Sequence, residues 1–348
     1  MTNPLDFTQR RPRPAHLWRH ERDHEGSGEP RDLSVPIVAL HRFAAALASV
    51  LVSLSASQVW AQETADLPGP DQVKLERTLT FLNSQDSLTY HPLIKANLVL
   101  FRAVVGGEET CALLDTGASN SIVGLALSER LGLDRVASLG DAKTLGEGIP
   151  VDATSSVRIE VPGQFVLDGQ VLTTAMPDLE CAPGLKLGFT LGRDTLEDLS
   201  VFVDNPNNRI AFLPVGGFDP GDARHLRLDW EDGETDVQVD GKDVRVLVDT
   251  GLNIPLLVGQ SVFDDFFAEK EAFTPEPMNT AGGKVIEARG AKGVRLGIAG
   301  VVEVTVNAAS YPDSASGMSI LLGNPIFGVN PVVFEAGRDA IFLLPAVD

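Results

Sequence analysis

The chain has 348 residues, 43% of them hydrophobic, which is enough to bury one large core or two modest ones. Its formal charge is −20; residues 1–61 hold seven Arg against six acidic residues, so the remainder carries about −21. So acidic a body argues against nucleic acid as a partner and against anionic membrane surfaces, both of which need basic patches.

Abundant Gly (33) and Pro (22) with few aromatics favour a turn-rich β protein over a helical one. Four of the six His lie in the first 61 residues and only two Cys occur, Cys111 and Cys181. No zinc-type spacing, HExxH or P-loop is present, so neither a metal nor a cofactor is expected.

In chain order, residues 1–34 are a polar lead whose composition predicts no fixed structure. A run of about 14 apolar and small residues from Phe43 to Ala56 follows Arg42, and Val59-Trp60-Ala61 ends it in small-x-small fashion. This reads as a secretory signal cleaved after Ala61, with an uncleaved N-terminal anchor as the alternative. Cleavage would place the mature chain in a periplasm or outside the cell. A start codon near Val38 would make it an ordinary signal peptide. Nothing after residue 62 is apolar for long enough to cross a membrane. Residues 62–89 read as a surface lead-in without a functional role.

The rest of the chain repeats itself. Asp115-Thr116-Gly117 and Asp249-Thr250-Gly251 are 134 residues apart, each at the end of an apolar run. Upstream, Val105-Gly106-Gly107-Glu108 and Val239-Asp240-Gly241-Lys242 are hairpin signals. Downstream, Thr144 to Gly148 and Thr280 to Gly283 are Gly-rich tips that suit mobile hairpins, with Gly146, Gly148, Gly282 and Gly283 as the flap candidates. Leu191-Gly192-Arg193 is then matched by Leu322-Gly323-Asn324, and both copies close on apolar strands ending at Pro214 and Pro345. Duplication is the simplest account. It divides the body into lobes 90–218 and 219–348, with Val215 to Glu234 as the linker. Ser119 to Leu131 and Ser261 to Glu271 are predicted as short helices.

These motifs resemble the aspartic peptidase clan of pepsin-like and retropepsin-like fold, in particular bacterial secreted retropepsin-like members with two lobes in one chain. Leu113-Leu114-Asp115-Thr116-Gly117-Ala118-Ser119 and Leu191-Gly192-Arg193-Asp194 carry the first half of the resemblance. Leu247-Val248-Asp249-Thr250-Gly251 and Leu321-Leu322-Gly323 carry the second. The resemblance implies an all-β fold of two homologous β-barrel lobes with a few short helices and an active-site cleft between them. It also implies that Thr116 and Thr250 cross-link the two loops through hydroxyl-to-backbone bonds, and that Gly192 and Gly323 support the Asp loops on threading strands.

The chemistry expected follows from the residues. Two carboxyls within hydrogen-bonding reach cannot easily carry two charges, so Asp115 and Asp249 would share one proton. The ionised member can deprotonate a water while the protonated member donates to a scissile carbonyl. Gly117 and Gly251 let backbone amides approach the carboxylates where a Cβ would block the turn. Ala118 and Leu252 follow the two Gly residues, where pepsin-like members carry Ser or Thr. Without that hydroxyl donor the pair should titrate higher, with activity nearest weakly acidic to neutral pH.

The expected function is therefore a secreted or periplasmic aspartic endopeptidase acting on extended polypeptide substrates. It would be a monomer, since both lobes lie in one chain. The alternative is a non-catalytic peptide- or protein-binding module on the same fold. A Ser-His-Asp hydrolase using His91 or His225 ranks below both, because no GxSxG elbow is visible. The two Cys residues could form a disulfide or leave Cys111 a buried thiol.

Overall fold

A computed structural model of the chain describes residues 60–61, 75–82, 88–94, 97–143, 145, 148–219, 225–280, 284–300, 302–312 and 320–345, all within the compact unit Val38–Asp348. The signal-like run and the polar lead lie outside the described residues.

Both hairpins predicted from the sequence are present. Leu100–Val105 pairs with Glu108–Leu114 so that Gly106-Gly107 form the turn, and Glu234–Val239 pairs with Lys242–Asp249 around Asp240-Gly241. All four turn residues have positive φ, the geometry whose twist matches that of the flanking strands. The second strand of each hairpin is exposed at its start and fully buried over its last four residues, and each leads to an Asp-Thr-Gly loop.

Around each loop the pairing is the same. Leu185–Leu191 runs parallel to the first Asp strand, with Leu191 opposite Leu114, and Ile320–Gly323 runs parallel to the second, with Gly323 opposite Asp249. These strands also pair antiparallel with short strands beyond the loops, Ile122–Gly124 and Leu256–Gly259. Those in turn lie parallel to Leu172–Thr174 and Val302–Tyr311. Strands covered on both faces read as continuous apolar runs, which is why these segments lack the alternation of a half-exposed sheet.

A further sheet joins the two halves. Its strands follow the order His91–Ile94, Arg209–Pro214, Leu199–Asp204, Val332–Glu335, Ala340–Leu343, Leu226–Asp229, three from the first half and then three from the second. The halves meet where Val201 faces Phe334 and Val203 faces Val332. One buried cluster runs from Phe101 and Phe189 through Val201 and Phe334 to Val248 and Phe263, so the core is continuous across this junction.

Several expectations need correcting. The lead-in supplies a strand, Arg77–Phe81, that pairs antiparallel with Phe165–Gly169, so the first half begins before residue 90. Within the expected linker, Leu226–Asp229 is a sheet strand and Trp230 is buried. The first helix covers only Leu125–Arg130, because β-branched Ile122 and Val123 are taken into the sheet; the second covers Gln260–Phe267. A one-turn helix, Arg193–Leu196, follows Gly192. Trp60–Ala61 forms a short strand parallel to Met278–Thr280. Among the described residues no helix is long and apolar enough to cross a membrane.

Cys111 and Cys181, left open by the sequence, are joined in a disulfide. It ties the first Asp strand, four residues before Asp115, to the short strand Glu180–Ala182, 70 residues away in sequence. Replacing both Cys by Ala should lower stability by about 4 kcal/mol on the loop-closure argument, read as a fall in the urea midpoint. The same loss should follow from adding reductant to the unmutated protein, and reductant should leave the double variant unmoved.

Candidate active site

The continuous core brings the two Asp-Thr-Gly loops together, with both Asp side chains fully buried. Their mutual placement is set by glycine. A Cβ on Gly117 would stand 2.6 Å from the Asp249 Cγ, and one on Gly251 would stand 2.7 Å from Asp115 Oδ2. Each carboxyl thus occupies the notch that the opposite loop's glycine leaves open, which brings the two side chains face to face.

The threonines lock this arrangement. Thr116 Oγ1 donates to the carbonyl of Val248 (2.7 Å) and accepts from the amide of Thr250 (3.0 Å). Thr250 Oγ1 donates to the carbonyl of Leu114 (2.7 Å) and accepts from the amide of Thr116 (3.0 Å). Each hydroxyl uses its one proton and a lone pair, and all four bonds are buried, where loss of a partner is expensive.

The carboxyls are further oriented by the backbone. Asp115 Oδ1 accepts from the amides of Gly117 and Ala118 (3.0 Å each), and Asp249 Oδ1 accepts from Gly251 (2.8 Å). The Leu252 amide donates to the Asp249 main-chain carbonyl (3.2 Å). Burial pushes the Asp115 carboxyl up to about 7, against the pull of the two amides, the Asp249 side chain and the Arg193 charge. The leading cause of the rise is burial, whereas the sequence argument rested on a missing hydroxyl donor.

Gly192 and Gly323 lie where no side chain fits: a Cβ would run into the carbonyl oxygens of Asn120 and Ile254 respectively. The residues after them bond back to the Asp loops, the Arg193 amide to the Ala118 carbonyl (2.9 Å) and the Asn324 amide to that of Leu252 (2.8 Å). Asp194 braces the first loop further. Its Oδ1 accepts from both the amide and the hydroxyl of Ser121 (2.8 Å each), while Arg77 grips its Oδ2 and its main-chain carbonyl. Arg77 was not legible as a support residue, since only the strand pairing of Arg77–Phe81 brings it here.

The first Gly-tipped hairpin is built from Arg135–Lys143 and Gly148–Thr154, with Gly148 opening the return strand. The second pairs Met278–Thr280 with Val285–Ile286. Gly146, Gly282 and Gly283 lie outside the described residues. The sequence did not single out Leu145, at the first tip; it is 1% exposed and belongs to a buried cluster with Leu252, Met278, Ile286 and Tyr311 of the second half. His91 packs edge-on against Phe101, and His225 against Phe342. Among the described residues no group of three or more His, Cys, Asp or Glu could hold a metal ion.

Residues 101–194, the stretch from the first hairpin to the Gly192 turn, match a family model described as aspartyl protease. Among solved structures the chain is similar to EIAV protease complexed with the inhibitor HBY-793, at 24% identity over 29% of this chain and 86% of that one, with a TM-score of 0.24. No curated protein matches the chain. The family match supports an aspartic protease fold, and it covers Asp115 but stops short of Asp249.

Two outcomes follow from the geometry. Gly117→Ala should abolish any activity that needs both carboxyls and cost several kcal/mol of stability, because the Asp249 Cγ cannot retreat from a buried, doubly bonded loop. The second concerns pH. The Asp115 carboxyl rises from 3.8 to about 7 on folding, so its contribution to stability is full below about pH 4 and is lost as pH climbs to about 7. Asp115→Asn removes that titration. Its melting temperature should therefore gain on the unmutated protein between pH 4 and 7, with a ceiling of about 4 kcal/mol. A constant difference across that range would contradict the burial of charge at this site.

Proposed function

We propose that this protein is an aspartic endopeptidase whose catalytic dyad is Asp115 and Asp249. The observation that carries the reading is the face-to-face seating of the two carboxyls, each in the notch of the opposite glycine, held by four reciprocal threonine bonds. The match of residues 101–194 to an aspartyl protease family supports it.

The dyad holds one proton across the weakly acidic to neutral range. In the proposed cycle a water lies between the carboxyls. The ionised member takes its proton as the oxygen attacks the scissile carbonyl carbon, and the protonated member donates to the carbonyl oxygen. The resulting diol collapses when the amide nitrogen receives a proton from the dyad and the C–N bond breaks. As the bond breaks, the other carboxylate takes the proton of a diol hydroxyl, the new carbonyl forms, and the pair is returned to its one-proton state. Which carboxyl starts as the acid is a property of the pair, since both titrate together. Substrates would be extended polypeptides in a cleft under the two hairpins, bound partly through main-chain hydrogen bonds.

We further read the matching pairings around the two loops, and the three-plus-three strand order of the joining sheet, as an internal duplication producing two lobes and a monomeric enzyme. We place it in the periplasm or outside the cell, with a signal cleaved after Ala61. The run at 43–56 and the disulfide support this location, since disulfides persist in oxidising compartments.

The decisive test is Asp115→Asn and Asp249→Asn made separately and assayed on a quenched-fluorescence peptide library. Each should lose at least about 1,000-fold in kcat while keeping its fold by circular dichroism. Substantial turnover in either would end the two-carboxyl reading. The pH profile of kcat/KM should fall on its alkaline side near pH 7, as the shared proton departs.

A further inference from the structure

The strand Arg77–Phe81 belongs to the segment expected to be a surface lead-in, and it lies ahead of the family match, which starts at residue 101. Its seat against Phe165–Gly169 is fixed at both ends. The amide of Leu82 donates to the carbonyl of Gln164 (2.8 Å), and the amide of Gln170 to that of Glu76 (2.9 Å). Gly169 leaves the space in which the strand lies: a Cβ there would stand 2.3 Å from the Glu76 carbonyl oxygen and 2.5 Å from the Arg77 Cα.

That seat delivers Arg77 to Asp194. Nη1 donates to the carboxylate Oδ2 and Nη2 to the main-chain carbonyl of the same residue, so one planar fork holds side chain and backbone together. Asp194 turns its other oxygen to the first Asp loop and the turn beneath it. Oδ1 accepts from the amide and the hydroxyl of Ser121 (2.8 Å each) and from the amide of Thr195 (2.7 Å). The Ser121 hydroxyl in turn accepts from the amide of Gly192 (3.1 Å), and the Asp194 amide donates to the carbonyl of Ser119 (3.0 Å). The last torsion of an Asp side chain is soft, so a carboxylate held through one oxygen can pivot. Held through both oxygens and its own backbone, it cannot.

We infer that Arg77 is a positioning residue for the proposed reaction: by fixing the Asp194 carboxylate it holds the loop from Asp115 to Ser121 where Asp115 meets Asp249. Turnover then depends on a strand that the family match does not include. The inference rests on the peptidase reading above. Arg77 and Asp194 are only 19% and 14% exposed, so water screens this pair less than an ordinary surface pair. A loosened loop misaligns the reacting groups more than it weakens substrate binding, so kcat should suffer and KM should not.

The test separates a lost brace from a lost strand. Arg77→Met keeps an apolar stem and loses both bonds; Arg77→Lys keeps the charge but lacks the fork that spans two acceptors. On a fluorogenic peptide the Met variant should lose roughly 10- to 100-fold in kcat with KM within about twofold, and the Lys variant at least about threefold in kcat. The double variant Arg77→Met/Asp194→Asn should fall no further than the worse single variant, because Arg77 acts through Asp194. Hydrogen exchange in Arg77→Met should quicken at the Ser121 and Thr195 amides and stay unchanged across Phe165–Gly169. An undiminished kcat in either Arg77 variant, losses that multiply in the double variant, or exchange that quickens across Phe165–Gly169 would overturn the inference. If Arg77→Met does not fold, Arg77→Lys decides through its kcat and the same amides. Failure of the underlying reading shows differently, as turnover that survives Asp115→Asn or Asp249→Asn.

Discussion

The constraint on which the structure turns is the burial of two carboxyl groups against each other. A carboxylate removed from water is costly, and two adjacent ones cannot both be ionised, so the pair must keep a proton that an exposed Asp would have lost. Holding such a pair in register requires that neither loop be able to relax away. The structure answers with elements that do not share a failure mode. Glycines leave room for the opposing carboxyl, threonine hydroxyls bond the opposing backbone, and the joining sheet fixes the two halves through Val201–Phe334 and its neighbours. Any one of these alone would leave a buried charge free to find water.

Much of this was legible in the sequence because it is local. The Asp-Thr-Gly loops, the two-residue turns at Gly106-Gly107 and Asp240-Gly241, and the Leu-Gly strands are short patterns whose geometry follows from which residues tolerate positive φ or close backbone approach. The 134-residue offset then paired them. What was not legible depends on register between distant strands. The disulfide forms because Leu185–Leu191 lies along the Cys111 strand and pairs with Glu180–Ala182, which brings Cys181 alongside; nothing in the spacing of 70 residues says so. Arg77 reaches Asp194 only because Arg77–Phe81 pairs with a strand nearly 90 residues later. The over-long first helix had a different cause. Ser119 to Leu131 has the periodicity of a helix, but the strands flanking Ile122 and Val123 supply them with a better use.

The departures of the second half's motifs from the first's look like defects in sequence and turn out to be a different way of bracing. Around Asp115 the support is polar: Ser121 bonds Asp194, and Asp194 is gripped by Arg77. Around Asp249 the support is apolar. Leu252 stands where Ala118 stands, fully buried with Leu257, Leu321 and Tyr311, and Asn324-Pro325 replaces the Arg-Asp pair. A polar brace works by direction and fails when one partner is lost. An apolar brace works by filling space and tolerates rearrangement of its members.

That distinction bears on how the site could open. The apolar brace of the second loop also takes in Leu145 from the tip of the first hairpin, together with Met278 and Ile286 from the second. One buried cluster therefore supports the Asp249 loop and holds both hairpins down. On the peptidase reading proposed above, moving a hairpin to admit a polypeptide would uncover part of that cluster, at about 25 cal/mol for each Å² of apolar surface exposed. On that reading an apolar side chain of the substrate would restore the contact that Leu145 gives up, whereas a polar one would not. The polar brace around Asp115 shares no member with this cluster. The first loop can thus stay fixed while the cluster at the second loop gives up Leu145, which the first half lends it, and the asymmetry of the two halves separates a rigid side of the site from an adaptable one.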